Sequence, residues 1–336
     1  MHLATKPQKS QNKYLRIKTR EAHAMKVVMI NDCAYVGETI LKFLQENVEW
    51  VHVKRSRSIW DKTFGVTYRI FRAKGDLYHV NYLLQDCYIA LKLGKRPLIG
   101  HAHGSDLRSG LKHPLWKRIV QHNLKKCDKV LVSTPDILEV AKMYREDAEY
   151  LPNPVDTELF YPKPMLERNK KLRVLIASNS DWKVKGTDIA IRALSKIKDE
   201  VKVSIIRYGN DFDKTVKLAK SLNIDLQILE KVPHDKTREY YWSHDVVIDQ
   251  FKLGSLGMVS LEAIASGRPV ITFVSSEYAE YTDFPLKDAD TEDKIVDAIL
   301  GSDAKLWQKE YAYLEKNHKP ESVVKKLLNI YRSVIH

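Results

Sequence analysis

The sequence predicts an α/β protein of two doubly wound parallel-sheet domains facing each other across a cleft. At 336 residues the chain exceeds what one hydrophobic core usually holds, so two domains of similar size are expected. Short β-branched runs alternate with amphipathic helical stretches in two separate series, the pattern of parallel sheets covered on both faces. A proline-spaced segment, "YLPNPVDTELFYPKP", divides the series. Each half therefore reads as Rossmann-like, and ligands of such sheets bind beyond the carboxyl ends of their strands.

Residues 1–24 carry Lys6, Lys9, Lys13, Arg16, Lys18 and Arg20 without apolar periodicity, and read as a flexible basic tail before Met25. "MKVVMI" is the first strand, and "GETILKFLQENV" places Ile40, Leu41, Leu44 and Val48 on one helical face. "DLYHV", "RPLIGH" and "DKVLVS" continue the first series, whose domain is expected over 25–155. Pro152, Pro154, Pro162 and Pro164 stiffen the connection. "LRVLIAS", "VKVSII", "DLQILE", "DVVID" and "RPVITF" form the second series, over 156–318. The last segment, 319–336, is an amphipathic helix with Val324, Leu327, Leu328, Tyr331 and Ile335 on a stripe. It is expected to pack back on the N-terminal domain.

No apolar run approaches the roughly 20 residues of a membrane-spanning helix, and no secretory apolar core follows the basic start. Cys33, Cys87 and Cys127 are widely separated, without a CxxC pair, and read as reduced thiols of a cytoplasmic protein. The net charge of +13 is unevenly spread: residues 1–150 hold 27 Lys and Arg against 15 Asp and Glu, whereas residues 151–336 hold 29 against 28. This asymmetry points to an anionic surface or polyanion, or else to a charge-rich surface of no special purpose.

After "LRVLIAS", Lys185 and Gly186 precede Thr187, an N-cap-like residue, and a helical pattern. An ammonium beside free helix N–H groups suits a phosphate, although a solvated lysine at a helix start fits the same pattern. "GSLGMVSLEAIASGRPVITF" repeats the arrangement. Gly254, Ser255 and Gly257 allow close backbone approach, and the amides of Leu256, Gly257, Met258 and Val259 would hold a diphosphate. Glu262 would then accept from ribose hydroxyls, or would simply be a glutamate in a helix's first turn stabilised by the dipole. Two aspartate pairs, in "RYGNDFDK" and "KDADTED", have metal-chelating spacing but read better as helix caps. His101, His103 and His113 lack a supporting carboxylate or cysteine, so no metal site is expected.

"VSTPDILEVA", "YLPNPVDTELFYP", "KGTD", "VPHDKTREYYWSHDVVI" and "GSLGMVSLEAIASGRPVI" occur in an order that resembles the retaining GT-B glycosyltransferases of group 1, the large family that includes sucrose synthases and mannosyltransferases. The resemblance covers nearly everything after Met25. It implies a hexosyltransferase that moves sugar, with retention and no required metal or cofactor, from a UDP- or GDP-sugar held by the C-terminal domain to a hydroxyl acceptor, lipid-linked or glycan, held by the N-terminal domain. Lys185 matches the family lysine on the donor diphosphate, and Glu262 matches the glutamate that binds ribose. His103, in "HAHGSDLR", takes the place of the histidine near the donor sugar. Gly37 matches the glycine loop facing the diphosphate, and Val232 lies on the donor side. Two departures stand out. The sugar-contacting glutamate of the family falls at Gly254, and its arginine partner to the lysine is missing near Asn179 to Trp182, leaving Arg207 or a cation of the N-terminal domain to replace it.

Basic and aromatic residues interleave in "VKRSRSIWDKTFGVTYRIFR", with Trp60, Phe64, Tyr68 and Phe71 among Arg55, Arg57, Arg69 and Arg72, and Trp116 follows in "LKHPLWKRIVQHNLKK". Core aromatics with solvated charges explain this stretch, as does docking on an anionic membrane from the cytoplasmic side; nucleic acid fits less well. A glycosyltransferase, a GT-B-shaped nucleotide-binding protein without transfer activity, and a glycosyltransferase acting on nucleic acid are the functions that remain.

Overall fold

A computed structural model describes residues 24–44, 48–56, 58, 60–165, 167 and 170–335. The basic tail up to residue 23 and Arg57 lie outside the described residues. The first sheet contains β1 (Met25–Ile30), β2 (Val48–Val53), β3 (Leu77–Asn81), β4 (Leu98–Ala102), β5 (Lys129–Val132) and β6 (Glu149–Tyr150) in the order β2-β1-β3-β4-β5-β6. The second contains β7 (Leu172–Ile176), β8 (Val201–Ile206), β9 (Leu226–Leu229), β10 (Val246–Ile248) and β11 (Val270–Ile271) in the order β11-β10-β7-β8-β9. Every strand pair is parallel. The architecture is GT-B: two Rossmann-like sheets with a cleft between them.

Burial explains the strand sequences. Val27, Val28, Met29 and Ile30 of β1 are fully buried because helices cover both faces of that strand, so an unbroken apolar run is required. β2 differs. It sits at the sheet edge, with Trp50 and Val51 exposed, and its polar alternation conceals it in the sequence. The expected helix over 37–48 accordingly stops early: Val36–Phe43 is helical, Leu44 is extended, and Val48 begins β2 rather than continuing the helical face.

The helix Pro320–Ile335 lays Val323, Val324, Leu327 and Tyr331 into a buried cluster with Val27, Met29, Ile40 and Leu77 of the first half. This helix therefore packs on the first sheet and not on the second. At roughly 1.5–3 kcal/mol for each buried apolar side chain, this contact fastens the C-terminal helix firmly to the N-terminal half. His318 adds polar anchoring, with its Nδ1 2.8 Å from the Asn153 carbonyl and its own carbonyl accepting from Val155 N.

In the first sheet the chain runs outward from β1 to β2 and then returns to β3 on the other side. The second sheet reverses at β7 and β10. Crevices open where strand order reverses. The loops after β1, β3, β7 and β10 therefore meet in the cleft and supply most of its chemistry.

Candidate active site

Two contiguous cavities occupy the cleft. The first, about 300 Å³, is lined by His103, Arg108, Lys185 and the backbone from Ser255 to Val259. The second, about 1080 Å³, is lined by Tyr35, Val232, His234 and Glu262. Ala34, Tyr208, Met258 and Val259 border both, so a ligand could run from one into the other.

Lys185 follows β7, where Gly186 rather than Thr187 takes the N-cap position, with φ 67°, ahead of the helix Thr187–Lys196. The Lys185 Nζ donates to Asp249 Oδ1 at 3.0 Å, and Asp249, fully buried in side chain, also accepts from Ser260 Oγ at 2.8 Å. One of three ammonium donors is thereby committed and the others remain for a ligand. Gly257 is required by this arrangement, since a Cβ there would stand 2.4 Å from Asp249 Oδ2. The same construction places Lys185 Nζ only 3.4 Å from that position, directly beside the start of the helix Met258–Ala265.

Among the described residues, the N–H groups of Gly257, Met258 and Val259 have no protein acceptor, as expected for a helix's first turn. Leu256 N is different because it donates to Tyr281 Oη at 3.1 Å. Gly254 also departs from the expected cradle. It lies off both cavity walls at φ 65°, and a Cβ there would meet Ser275 and Phe273 at 3.1 and 3.3 Å. A glutamate at this position would be strained and aimed into protein rather than toward the cleft.

Glu262 is buried in the second turn of its helix and both carboxylate oxygens are occupied. His234 Nε2 donates to Oε1 at 2.7 Å and Tyr241 Oη donates to Oε2 at 3.1 Å. A position one turn beyond the helix start weakens the dipole explanation for this residue. His234 also stacks face to face on Tyr35 of the opposite half, with ring centroids 3.7 Å apart. Gly37 lies deeper, in the first turn of Val36–Phe43, where its N–H donates to Asp32 Oδ1 at 2.8 Å.

His103 stands at the end of β4. Its Nε2 lies 2.8 Å from Asn81 Oδ1. Asn81 Nδ2 donates to the Asn31 carbonyl, so Oδ1 is the acceptor and His103 Nε2 carries the proton. Burial, with a smaller contribution from His79, holds the His103 pKa down at about 3. The ring is consequently neutral at physiological pH. His101 and His79 continue the contact inward to Tyr331 of the last helix, as a packed core chain.

Arg207 is not brought to the cleft: it is half exposed, borders neither cavity, and pairs with Glu230 at 2.8 Å. Arg108, which the sequence did not single out, is brought there. Its guanidinium forks onto Asp136 at 2.6 and 2.8 Å and reaches Thr134 Oγ1 at 3.1 Å. Asp136 in turn accepts from Ser255 Oγ at 2.9 Å, joining the two halves in front of the helix. Asp249 was likewise missed, although an acid at a strand's carboxyl end was a usable signal. Ser133 Oγ and Asn153 Oδ1, both on buried residues lining the first cavity, have no hydrogen-bond partner among the described residues.

The aspartate pairs serve locally. Asp211 accepts from Trp182 N and Lys214, and Asp290 pairs with Lys294, while Thr291 rather than Asp290 caps the helix Glu292–Leu300. Among the described residues, no group of three or more His, Cys, Asp or Glu side chains is arranged to hold a metal ion. No described helix is long and apolar enough to cross a membrane. Cys87 and Cys127 are buried, and Cys33 is a half-buried thiol on the cavity wall.

Two family models match the chain in succession: Glycosyltransferase Family 4 over residues 41–159, and Glycosyl transferases group 1 over residues 163–283. The chain is a GT-B-fold glycosyltransferase. A curated relative of this glycosyltransferase is N-acetyl-alpha-D-glucosaminyl L-malate synthase of Bacillus anthracis, 26% identical over 212 residues; the match spans 58% of this chain and 56% of that protein. Sucrose-phosphate synthase from Thermosynechococcus elongatus shares the fold with a TM-score of 0.70 at 15% identity, over 92% of this chain and 98% of that one. So does HepE from Anabaena in complex with UDP and glucose, with a TM-score of 0.72 at 13% identity, over 92% and 100%. At these identities the structural likeness is one of fold.

Proposed function

We propose that this glycosyltransferase is a retaining, metal-independent hexosyltransferase that takes a sugar from a UDP- or GDP-sugar and passes it to a hydroxyl acceptor held by the N-terminal half. The observation that carries the reading is the convergence of Lys185 Nζ with the unpartnered Gly257, Met258 and Val259 N–H groups in one cavity. A dianionic diphosphate is the ligand such a cradle suits. The HepE complex with UDP and glucose supports a nucleotide donor in this fold.

In this reading the base and ribose occupy the larger cavity along Val232, and the ribose hydroxyls take Glu262 from His234. Asp249 fixes the Lys185 ammonium so that it needs little reorganisation as the leaving diphosphate gains charge. Arg108 supplies the second cation from across the cleft, the role left open by the missing arginine. His103, neutral and oriented by Asn81, positions the sugar and is unsuited to acting as a general acid. With Gly254 turned away, sugar contacts fall to His103 and Asn179, and the acceptor hydroxyl approaches from the N-terminal wall of the same cavity, beside Ser133 and Thr134. The departing phosphate oxygen takes the acceptor proton, while the residues around it hold donor and acceptor in line.

A panel of UDP- and GDP-sugars offered with hydroxyl acceptors, read by mass spectrometry for product and released diphosphate, tests the proposal. Sugar transfer with retained anomeric configuration supports it. Tight nucleotide binding without turnover of any donor would favour the second reading, a nucleotide-binding protein, which the loss of the sugar-contacting carboxylate at position 254 motivates.

A further inference from the structure

We propose that the N-terminal half docks on an anionic lipid bilayer through the helical stretch that follows β2. This stretch runs through a wider π-helical turn, Asp61–Gly65, directly into the α-helix Val66–Arg72. Val66 and Ile70 are fully buried and fasten one side to the core. The opposite side carries Trp60, Phe64, Tyr68 and Phe71, which are 72%, 71%, 60% and 60% exposed. Phe64, Tyr68 and Phe71 follow i, i+4, i+7 spacing and therefore form one stripe, extended by Trp60 stacked on Phe64 with centroids 6.0 Å apart. The aromatics are thus not core residues. Four aromatics aligned on one exposed face exceed the scattered apolar residues of an ordinary surface and mark a contact site.

Charge identifies the occupant. Among the described residues, Lys62, Arg72, Lys117 and Arg118 have no carboxylate within 4.0 Å. The helix Val66–Arg72 packs on Gln85–Lys92, which packs on Pro114–Lys126, a helix with four cations, no acid and an exposed Leu115. Arg55 and Arg69 belong to the protein instead. Arg55 pairs with buried Asp86, and Arg69 clamps Asp61 and the Lys54 carbonyl, which sets the helix on the sheet. Trp116 is half-buried at the start of its helix. An aromatic stripe flanked by uncompensated lysines and arginines matches the interface of an anionic bilayer, where rings insert among headgroups and cations meet lipid phosphate. The stretch begins just beyond the carboxyl end of β2, on the side of the first sheet that faces the cleft, so docking brings the cleft toward the membrane.

Sedimentation of the full chain with vesicles of phosphatidylglycerol and phosphatidylcholine, against phosphatidylcholine alone, tests this independently of donor, acceptor or turnover. At physiological salt the native chain should bind the anionic vesicles selectively. Phe64→Ser with Phe71→Ser should weaken binding about tenfold, as should Lys62→Gln with Arg72→Gln, whereas Phe64→Trp with Phe71→Trp should preserve it. Circular dichroism and thermal melting should be unchanged in all three, because the altered groups are exposed. Negligible binding to both vesicles would overturn the proposal. So would anionic binding that survives the serine pair unchanged, or serine variants that lose affinity for RNA in a mobility-shift assay while no chain binds vesicles.

Discussion

His234 donates from Nε2 to Glu262 Oε1 at 2.7 Å while its ring lies parallel to Tyr35 across the cleft. The carboxylate proposed for ribose is thus already satisfied, by His234 and by Tyr241. Nucleotide entry exchanges one hydrogen bond for another and avoids exposing a buried, unpaired charge.

Replacing Glu262 with Gln keeps the shape but removes the charge-assisted bonds, so nucleotide affinity should fall by about 1.5–3 kcal/mol by calorimetry. The fold should survive. Unchanged nucleotide affinity together with a large fall in melting temperature would make Glu262 a structural residue only.

The two candidate arginines separate cleanly. Arg207→Ala should leave turnover within about twofold, since its partner Glu230 is also exposed. The paired change Arg108→Gln with Asp136→Asn removes both charges without leaving either buried alone, and should cost kcat about a hundredfold if Arg108 meets the leaving diphosphate. The reverse ranking would return the role to Arg207.

His103→Ala should lower kcat more than nucleotide affinity, because its assigned contact is with the sugar. Parallel losses of equal size would indicate a disturbed loop instead.

Acid should destabilise the fold through its buried histidines. Burial holds His79 and His103 at about 3 and His318 at about 4, against 6.5 for the free side chain. The unfolded chain therefore binds more protons below pH 6.5. The histidines' contribution is full above that pH and declines as pH falls toward 4, with a slope of up to about 1.4 kcal/mol per pH unit for each histidine. Urea unfolding at pH 7 and pH 5 should differ by at least about 2 kcal/mol. Equal stability at the two values would show that these rings are not held neutral.

Much of this was legible in the sequence because burial leaves local signatures. The continuous apolar runs of β1, β5 and β7 are what doubly covered strands require, and the glycine turns before helices announced Lys185 and the Gly257 amides. β2 escaped because an edge strand carries alternating, half-polar residues, and Val48 fell by chance on a helical spacing. Arg108 and Asp249 escaped for another reason. Their meaning depends on residues 64 to 147 positions away: the crossover that sets β10 beside β7 brings Asp249 to Lys185, and the apposition of the two halves brings Arg108 to Ser255 through Asp136. Gly254 was readable as a departure, but its positive φ, which turns that position from the cleft, required the backbone.

Calorimetric titration of the native chain and of Lys185→Ala with UDP, GDP and the matching nucleosides tests the diphosphate cradle most directly. One diphosphate should bind at least tenfold more tightly than its nucleoside, and Lys185→Ala should remove most of that difference while leaving nucleoside binding intact. Equal binding of nucleoside and diphosphate to the native chain, or a difference that survives the loss of Lys185, would contradict it.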